Sequence, residues 1–319
     1  MIAYLIRRFL QSVIVVWLVT VLTFILLKLL PGGPIRAILG TRANNAALVH
    51  ELTVKLGFNK PVWYQYWHWL DDLLHGNLGF SYQENQTVAS LLTQALPKTL
   101  LLLGVSTILA LIVAIPLGVV QAVRRNKLGD YIGTGFSFIF YAMPAYLLGI
   151  ILINIAAEPP RTWFPPEAAQ GNGWASFFTE FNYMVLPLLS LTLITVASFS
   201  RYMRSSTLDQ ITQDYVRTAR AKGASERRIL YRHILRNALI PIATLVGLNL
   251  PVLFSGALLT EDVFNYPGMG HLFIAAATNQ DYPILLGVTA LVAFATVIGS
   301  LLADILYAVL DPRVRYVSA

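Results

Sequence analysis

Few side chains in this 319-residue sequence stand where they could make or break bonds. His50-Glu51 opens the His-Glu-x-x-His pattern that sets two imidazoles on one helical face for zinc, but the second histidine position holds Val54. The five histidines, at 50, 68, 75, 233 and 271, have no metal-ligand spacing. No Gly-x-x-x-x-Gly-Lys-Ser/Thr string cradles a nucleotide phosphate, and no Gly-x-Ser-x-Gly elbow raises a serine nucleophile. Absence of cysteine removes disulfides, thiolate metal sites and thiol nucleophiles. Asp304, with Asp311 beyond it, is the one carboxylate inside an apolar stretch. It is either a helix-end residue hydrated at the membrane interface or the titrating group of a stand-alone proton-coupled carrier. No catalysis, cofactor or metal is expected of this chain, so energy for any work comes from elsewhere.

The richest polar segment is 201–241. Leu208, Ile211, Tyr215 and Ala219 fall on one helical face, with Arg217, Arg220 and Lys222 on others. Gly223 is a usual residue just past a helix end, and Ser225 can cap a second helix with Glu226 in its first turn. That helix carries Arg227, Arg228, Arg232 and Arg236. A short helix, a glycine turn and a basic helix result. They would serve either as a basic loop held on anionic lipid or as a docking helix for a soluble partner.

These segments must be positioned by something, and composition says what. The chain is 56% hydrophobic and 12% charged, with a mean hydropathy of +0.62. Soluble domains run at about 45–50% apolar and about 25% charged. Six apolar stretches, 9–30, 97–123, 131–157, 183–202, 238–260 and 284–310, have the length needed to cross a bilayer as helix. A charge at a span centre costs about 2.5–3.5 kcal/mol, and the charged residues inside these stretches, Lys28, Lys98, Arg201 and Asp304, all lie towards an end. The first run is too long for a signal peptide and has no small-residue cleavage site, so it reads as a retained anchor.

Lysine and arginine set the orientation. Segments 1–8, 124–130, 201–237 and 311–319 hold 16 of them in 61 residues, against 6 in 116 for 31–98, 158–182 and 261–283. This places both termini and the 201–237 loop in the cytoplasm. The net charge of +7 is thus topological, and nucleic acid is not an expected partner. Pro116, Pro144, Pro187 and Pro251 each remove a backbone donor inside a span, tolerable where helices pack around a pathway. Outside the membrane, Trp63, Tyr66, Trp67, Leu70 and Leu74 recur at helical spacing within a folded cap. They read as an interfacial helix, a cap core or a docking surface. The acidic outer segment 261–283 reads as an ordinary loop or as a docking and ligand-access surface.

Asp214-Tyr215-Val216-Arg217-Thr218-Ala219-Arg220-Ala221-Lys222-Gly223 resembles the cytoplasmic signature of binding-protein-dependent ABC-transporter permeases of the oligopeptide/dipeptide/nickel group. The resemblance spans nearly the whole chain. It takes in Arg7-Arg8, Leu30-Pro31-Gly32, Leu56-Gly57, Pro61, Gly76-Asn77-Leu78-Gly79 and Arg236-Asn237-Ala238-Leu239-Ile240-Pro241. It continues through Glu261, Phe264, Pro267-Gly268-Met269-Gly270, Asp281-Tyr282-Pro283, Asp304, Tyr307 and Asp311-Pro312-Arg313. The general Glu-Ala-Ala signature is replaced by Arg217, Thr218 and Ala219, a habit of the peptide group.

The resemblance, strongest to the first (B-type) peptide permease subunit, implies an all-α, six-span type I ABC-importer permease fold. Its parts are an N-terminal segment and first span (1–30), an extracytoplasmic cap (31–96), a five-helix core (97–310) and a cytoplasmic tail (311–319). It implies a homologous second permease, ATPase subunits that bind ATP and magnesium, and an extracytoplasmic binding lipoprotein or periplasmic protein, in a lipid bilayer of the cytoplasmic membrane. Asp214, Tyr215, Arg217, Thr218, Ala219, Ala221, Lys222 and Gly223 would form the ATPase-coupling helix. Glu261, Phe264, Pro267, Gly268 and Asp281 would belong to the loop where the binding protein docks and ligand passes in. Peptides are the expected cargo, with nickel or a chelated metal as the alternative; a non-transporting membrane scaffold is the rival from another class.

Overall fold

The computed structural model describes residues 2–29, 33–39, 45–157, 164–171 and 177–310. Its first membrane helix, α1 (Ile2–Lys28), ends on Lys28, where a cation meets the negative end of the helix dipole. Three short helices follow, α2 (Gly33–Leu39), α3 (Ala46–Lys55) and α4 (Val62–Leu74). The Asn45 side chain caps α3 by accepting from the amides of Ala47 and Leu48. A two-residue-strand hairpin, β1 (Phe80–Ser81) and β2 (Gln86–Thr87), pairs Phe80 with Thr87 and Ser81 with Gln86. It leads directly into α5 (Val88–Val123), which starts well before the apolar run expected from residue 97 and carries Pro97 inside it.

Helices α6 (Leu128–Ala142) and α7 (Ala145–Ala157) meet at a bend of 103°. The expected straight span over 131–157 is therefore a broken one. Pro144 supplies no amide and pushes Met143 into an extended conformation (φ −83°, ψ 128°), so the helix cannot continue through it. Pro116, Pro187 and Pro251 sit within unbroken helices. With the bent pair counted as one, six spans are present among the described residues.

Helix α8 (Phe181–Ile211) runs from one side of the membrane into the polar segment, and the short α9 (Asp214–Ala221) follows it. Helix α10 (Glu226–Ser255) returns through the membrane with a wide π-type turn over Ile229–Ile234. Two short helices, α11 (Leu258–Val263) and α12 (Met269–Thr278), precede the last span, α13 (Tyr282–Leu310). The side chain of Asp304 and the segments Leu30-Pro31-Gly32 and 311–319 lie outside what is described.

The centre of the bundle is α5 against α8, with α10 and α13 packed beside them. A Cβ on Gly118 would stand 2.6 Å from the Ser200 carbonyl and 2.7 Å from Met203 Cβ, so glycine lets the backbones of α5 and α8 approach. The end of this contact nearest the basic segment is clasped by Asp130 of α6. Its two carboxylate oxygens accept from Arg204 Nε and Nη2 at 2.7 and 2.8 Å, while Asp130 is buried. Helix α1 stands at the edge, packed chiefly on α13 and α4.

Candidate functional site: a short exposed helix and a buried carboxylate knot

On the basic side, α9 is about two turns of helix slung between two membrane helices. The chain breaks after Ile211, and Gln213 takes an extended conformation (φ −70°, ψ 149°) before Asp214 begins the new helix. Leu208 and Ile211 therefore belong to α8 rather than to the helix of Tyr215 and Ala219, which corrects the single-helix expectation, although Ile211 still packs with those two residues. At the other end, the amides of Lys222 and Gly223 donate to the carbonyls of Thr218 and Arg220. Gly223 has φ +77°, the left-handed conformation that glycine adopts without strain. The Ser225 hydroxyl then accepts from the Arg228 amide, as its capping role predicts.

What holds α9 in place is a small apolar anchor. Val216 and Ile229 are fully buried and Ile234 nearly so, with Ile211, Tyr215, Ala219 and Ala224 packed around them. Each such side chain removed from water contributes about 1.5–3 kcal/mol. Tyr215 also donates its hydroxyl to Gln210 Oε1 at 2.7 Å. Arg220 forks onto Glu226 across the glycine turn, Nε to Oε1 at 2.6 Å and Nη2 to Oε2 at 3.0 Å. That hydrogen-bonded pairing raises the Arg220 pKa and lowers that of Glu226. Of the eight residues expected here, Asp214, Arg217, Thr218, Ala221, Lys222 and Gly223 face outward, while Tyr215 and Ala219 turn partly inward. Val216 was missed as the keystone. Its signal was available, since it lies between the two apolar positions already recognised and matches Ile229 across the turn.

The acidic outer segment is built differently. Glu261 is fully buried in α11 and its carboxylate collects four donors. Oε1 accepts from the Thr99 hydroxyl at 3.0 Å and the Ala257 amide at 3.2 Å; Oε2 accepts from the amides of Gly270 at 2.7 Å and His271 at 3.4 Å. Thr99 in turn accepts from the Met269 amide at 2.8 Å, so one hydroxyl ties α5 to α12 through Glu261. Burial pushes the Glu261 carboxyl above its ordinary value, with the four donors pulling the other way. Tyr266 donates its hydroxyl to the Lys98 carbonyl at 2.8 Å, and burial pushes its own pKa up. Phe264 is fully buried against Gly149 of α7. A Cβ on Gly268 would lie 2.4 Å from Glu261 Oε2, so only glycine fits beside the carboxylate.

Asp281 is buried too. Its Oδ2 accepts from the Ser81 hydroxyl at 2.5 Å and its Oδ1 from the Ile284 amide at 3.3 Å, pinning the hairpin to the start of α13. The expectation of a charged face open to a binding protein needs correcting for these side chains: Glu261, Phe264, Gly268 and Asp281 face inward, and Pro267 is half-buried. The physical reason is that the carboxylates satisfy the backbone amides of the turns they belong to. The aromatic stripe of the cap splits likewise. Tyr66 packs inward against Phe24, with ring centroids 5.5 Å apart, and shares a hydrogen bond with Thr20, while Trp63, Trp67 and Leu74 face outward.

A multi-pass helical bundle with a short polar helix slung beneath it is the architecture of a membrane-embedded translocation subunit. The comparisons specify it. Residues 1–103 match the N-terminal part, and residues 114–316 the main part, of the binding-protein-dependent transport system inner membrane component. The chain belongs to this family of ABC-transporter permeases, non-catalytic translocation subunits whose ATPase activity resides in partner subunits. It is 40% identical over 318 residues to the oligopeptide transport system permease protein AppB of Bacillus subtilis, covering 99% of this chain and 100% of that one. It is 37% identical over 315 residues to a probable peptide ABC transporter permease of Sinorhizobium fredii, covering 98% and 99%. Identity to the glutathione transport system permease protein GsiC of Escherichia coli is 33%, over 99% of this chain and all of that one. The fold also matches a chain of the MetNI methionine ABC transporter in an inward-facing conformation, with a TM-score of 0.50, 16% identity and coverage of 70% and 97%.

Proposed function

We propose that this chain passes peptides across the cytoplasmic membrane as one of two permease subunits, with both termini cytoplasmic and α9 seated in a cleft of a partner ATPase. Support for the cargo comes from relatives over nearly the full chain, whose names specify oligopeptide, peptide or glutathione transport. Support for the coupling role comes chiefly from one observation. Helix α9 presents Arg217 and Ala221, and the Lys222 that follows it, to solvent, while Val216 on its opposite face is locked onto Ile229 and Ile234.

A push on such a helix is transmitted, because its buried face packs on Ile211 of α8 and on Ile229 and Ile234 of α10. ATP and magnesium are held by the ATPase; closure on ATP draws α9 inward, and α8 carries the movement to α5 and α6 through the Arg204–Asp130 clasp. The pathway then opens alternately to the two sides. A binding protein delivers ligand to the extracytoplasmic surface, on the parts left exposed around the buried Glu261 knot.

The test is reconstitution of this chain with its neighbouring permease, ATPase and binding protein in nanodiscs. ATP hydrolysis should rise several-fold on adding binding protein loaded with di- to oligopeptides, and vesicles should take up labelled peptide. Stimulation by a nickel chelate with none by any peptide would reject the peptide assignment.

A further inference from the structure

A cavity of about 490 Å³ lies under the extracytoplasmic cap, between α1, α3, α4, the hairpin and the start of α13. Its size is that of a small-molecule pocket, and it takes no part in the coupling helix or the Glu261 knot. Its walls are mostly apolar and aromatic, with Phe24, Phe58 and Trp69 among them. Its polar members are unevenly charged. Lys28, Lys55 and Lys60 all border it, and among the described residues none of the three stands in an ion pair. The bordering acids are already engaged: Asp72 accepts from His68 and Asn77, and Asp281 from Ser81 and the Ile284 amide.

Lys28 is central to this. Its ammonium group donates to Gln65 Oε1 at 2.5 Å and lies 4.3 Å from the centroid of the Phe58 ring and 5.4 Å from that of Phe24. An ammonium has three protons to donate, and the two rings hold the cation in place by their negative faces. It is a fixed cation without a counter-ion, backed by aromatic rings.

Its depth decides the ligand. Lys28 is the last residue of the apolar segment Leu10–Lys28, which sets it at the level of the outer headgroups. Helix α1 is the edge of the bundle and shows Leu18, Leu22, Ile25 and Leu26 to the surroundings. The outer face of α4 adds Trp63 and Trp67, the residue type that settles at a membrane surface.

We propose that this pocket binds one anionic phospholipid of the outer leaflet. Its phosphate lies on Lys28 with Lys60 at the rim, and the upper part of an acyl chain lies along Phe24, Phe58 and Trp69. The lipid clamps the cap to α1 and α13, where the cap's own packing is the small cluster of Phe24, Tyr66 and Leu286.

The test is native mass spectrometry of the full-length chain in detergent, titrated with phosphatidylglycerol and with phosphatidylcholine of the same chains. One phosphatidylglycerol should be retained at least tenfold better than phosphatidylcholine. Lys28→Gln should abolish that preference, Lys60→Gln should weaken it several-fold, and Lys127→Gln, at the opposite membrane face, should leave it unchanged. Should Lys28→Gln fail to fold, Lys60→Gln decides, since Lys60 is exposed. Equal retention of both lipids, or full retention by the decisive variant, overturns the site. So does displacement of the lipid by an excess of a tripeptide with a free carboxylate, which would make the pocket a peptide site.

Discussion

The two polar ends of this molecule carry charge of opposite sign, basic in 201–237 and acidic in 261–283, and are organised in opposite ways. On the basic side, α9 keeps its charged residues in solvent and rests on a few buried aliphatic side chains. On the outer side, Glu261 and Asp281 are buried and spend their oxygens on the backbone of their own turns. Charge is therefore left in solvent at one end and used as internal scaffolding at the other. The charged side chains of α9 lie outside the packing that holds it, whereas the Glu261 knot is part of the fold.

This contrast can be broken most severely at Glu261. Glu261→Lys would bury a cation against the amides of Ala257, Gly270 and His271, and no folded chain should be recovered from membranes in mild detergent. Glu261→Gln is milder: its amide nitrogen must face two of the donors, at a cost of about 1–3 kcal/mol. Recovery of a stable Glu261→Lys protein with lost stimulation by binding protein would restore this residue to the docking surface.

An intermediate effect is expected at the inner turn. Gly223→Val forces a β-branched residue into φ +77°, at about 1–2 kcal/mol. Thermal unfolding in detergent should shift modestly, and ATP hydrolysis by the assembled complex should become largely insensitive to peptide. An unshifted midpoint with normal coupling would mean that the turn is not a rigid part of the transmission.

The smallest structural effect is expected at Arg217, which is exposed and only loosely paired with Asp214 at 3.7 Å. Arg217→Glu should leave the unfolding midpoint unchanged yet reduce the ATPase retained on co-purification. Loss of stability instead would place Arg217 in the fold.

Much of this was legible in the chain. The spans follow from apolar length, and the break at Gly223 from a residue that adopts a left-handed backbone without strain. The bend at Pro144 was not separable from the unbroken helices at Pro116 and Pro187, because whether a neighbour compensates a missing amide depends on what packs there. Tyr66 and Trp67 are adjacent and similar, yet one is buried on Phe24 and the other faces out.

The sequence by itself determined that this is a membrane bundle with a basic inner side and a short, glycine-ended helix, since hydropathy, charge count and backbone preference are local properties. Only the tertiary structure decided that Glu261 points inward, that Asp130 meets Arg204, and that Lys28 stands in an aromatic pocket. Each of these depends on residues far apart in the chain, with Thr99 meeting Glu261 across 162 positions. A carboxylate or ammonium takes its role from the donors and rings that folding brings to it.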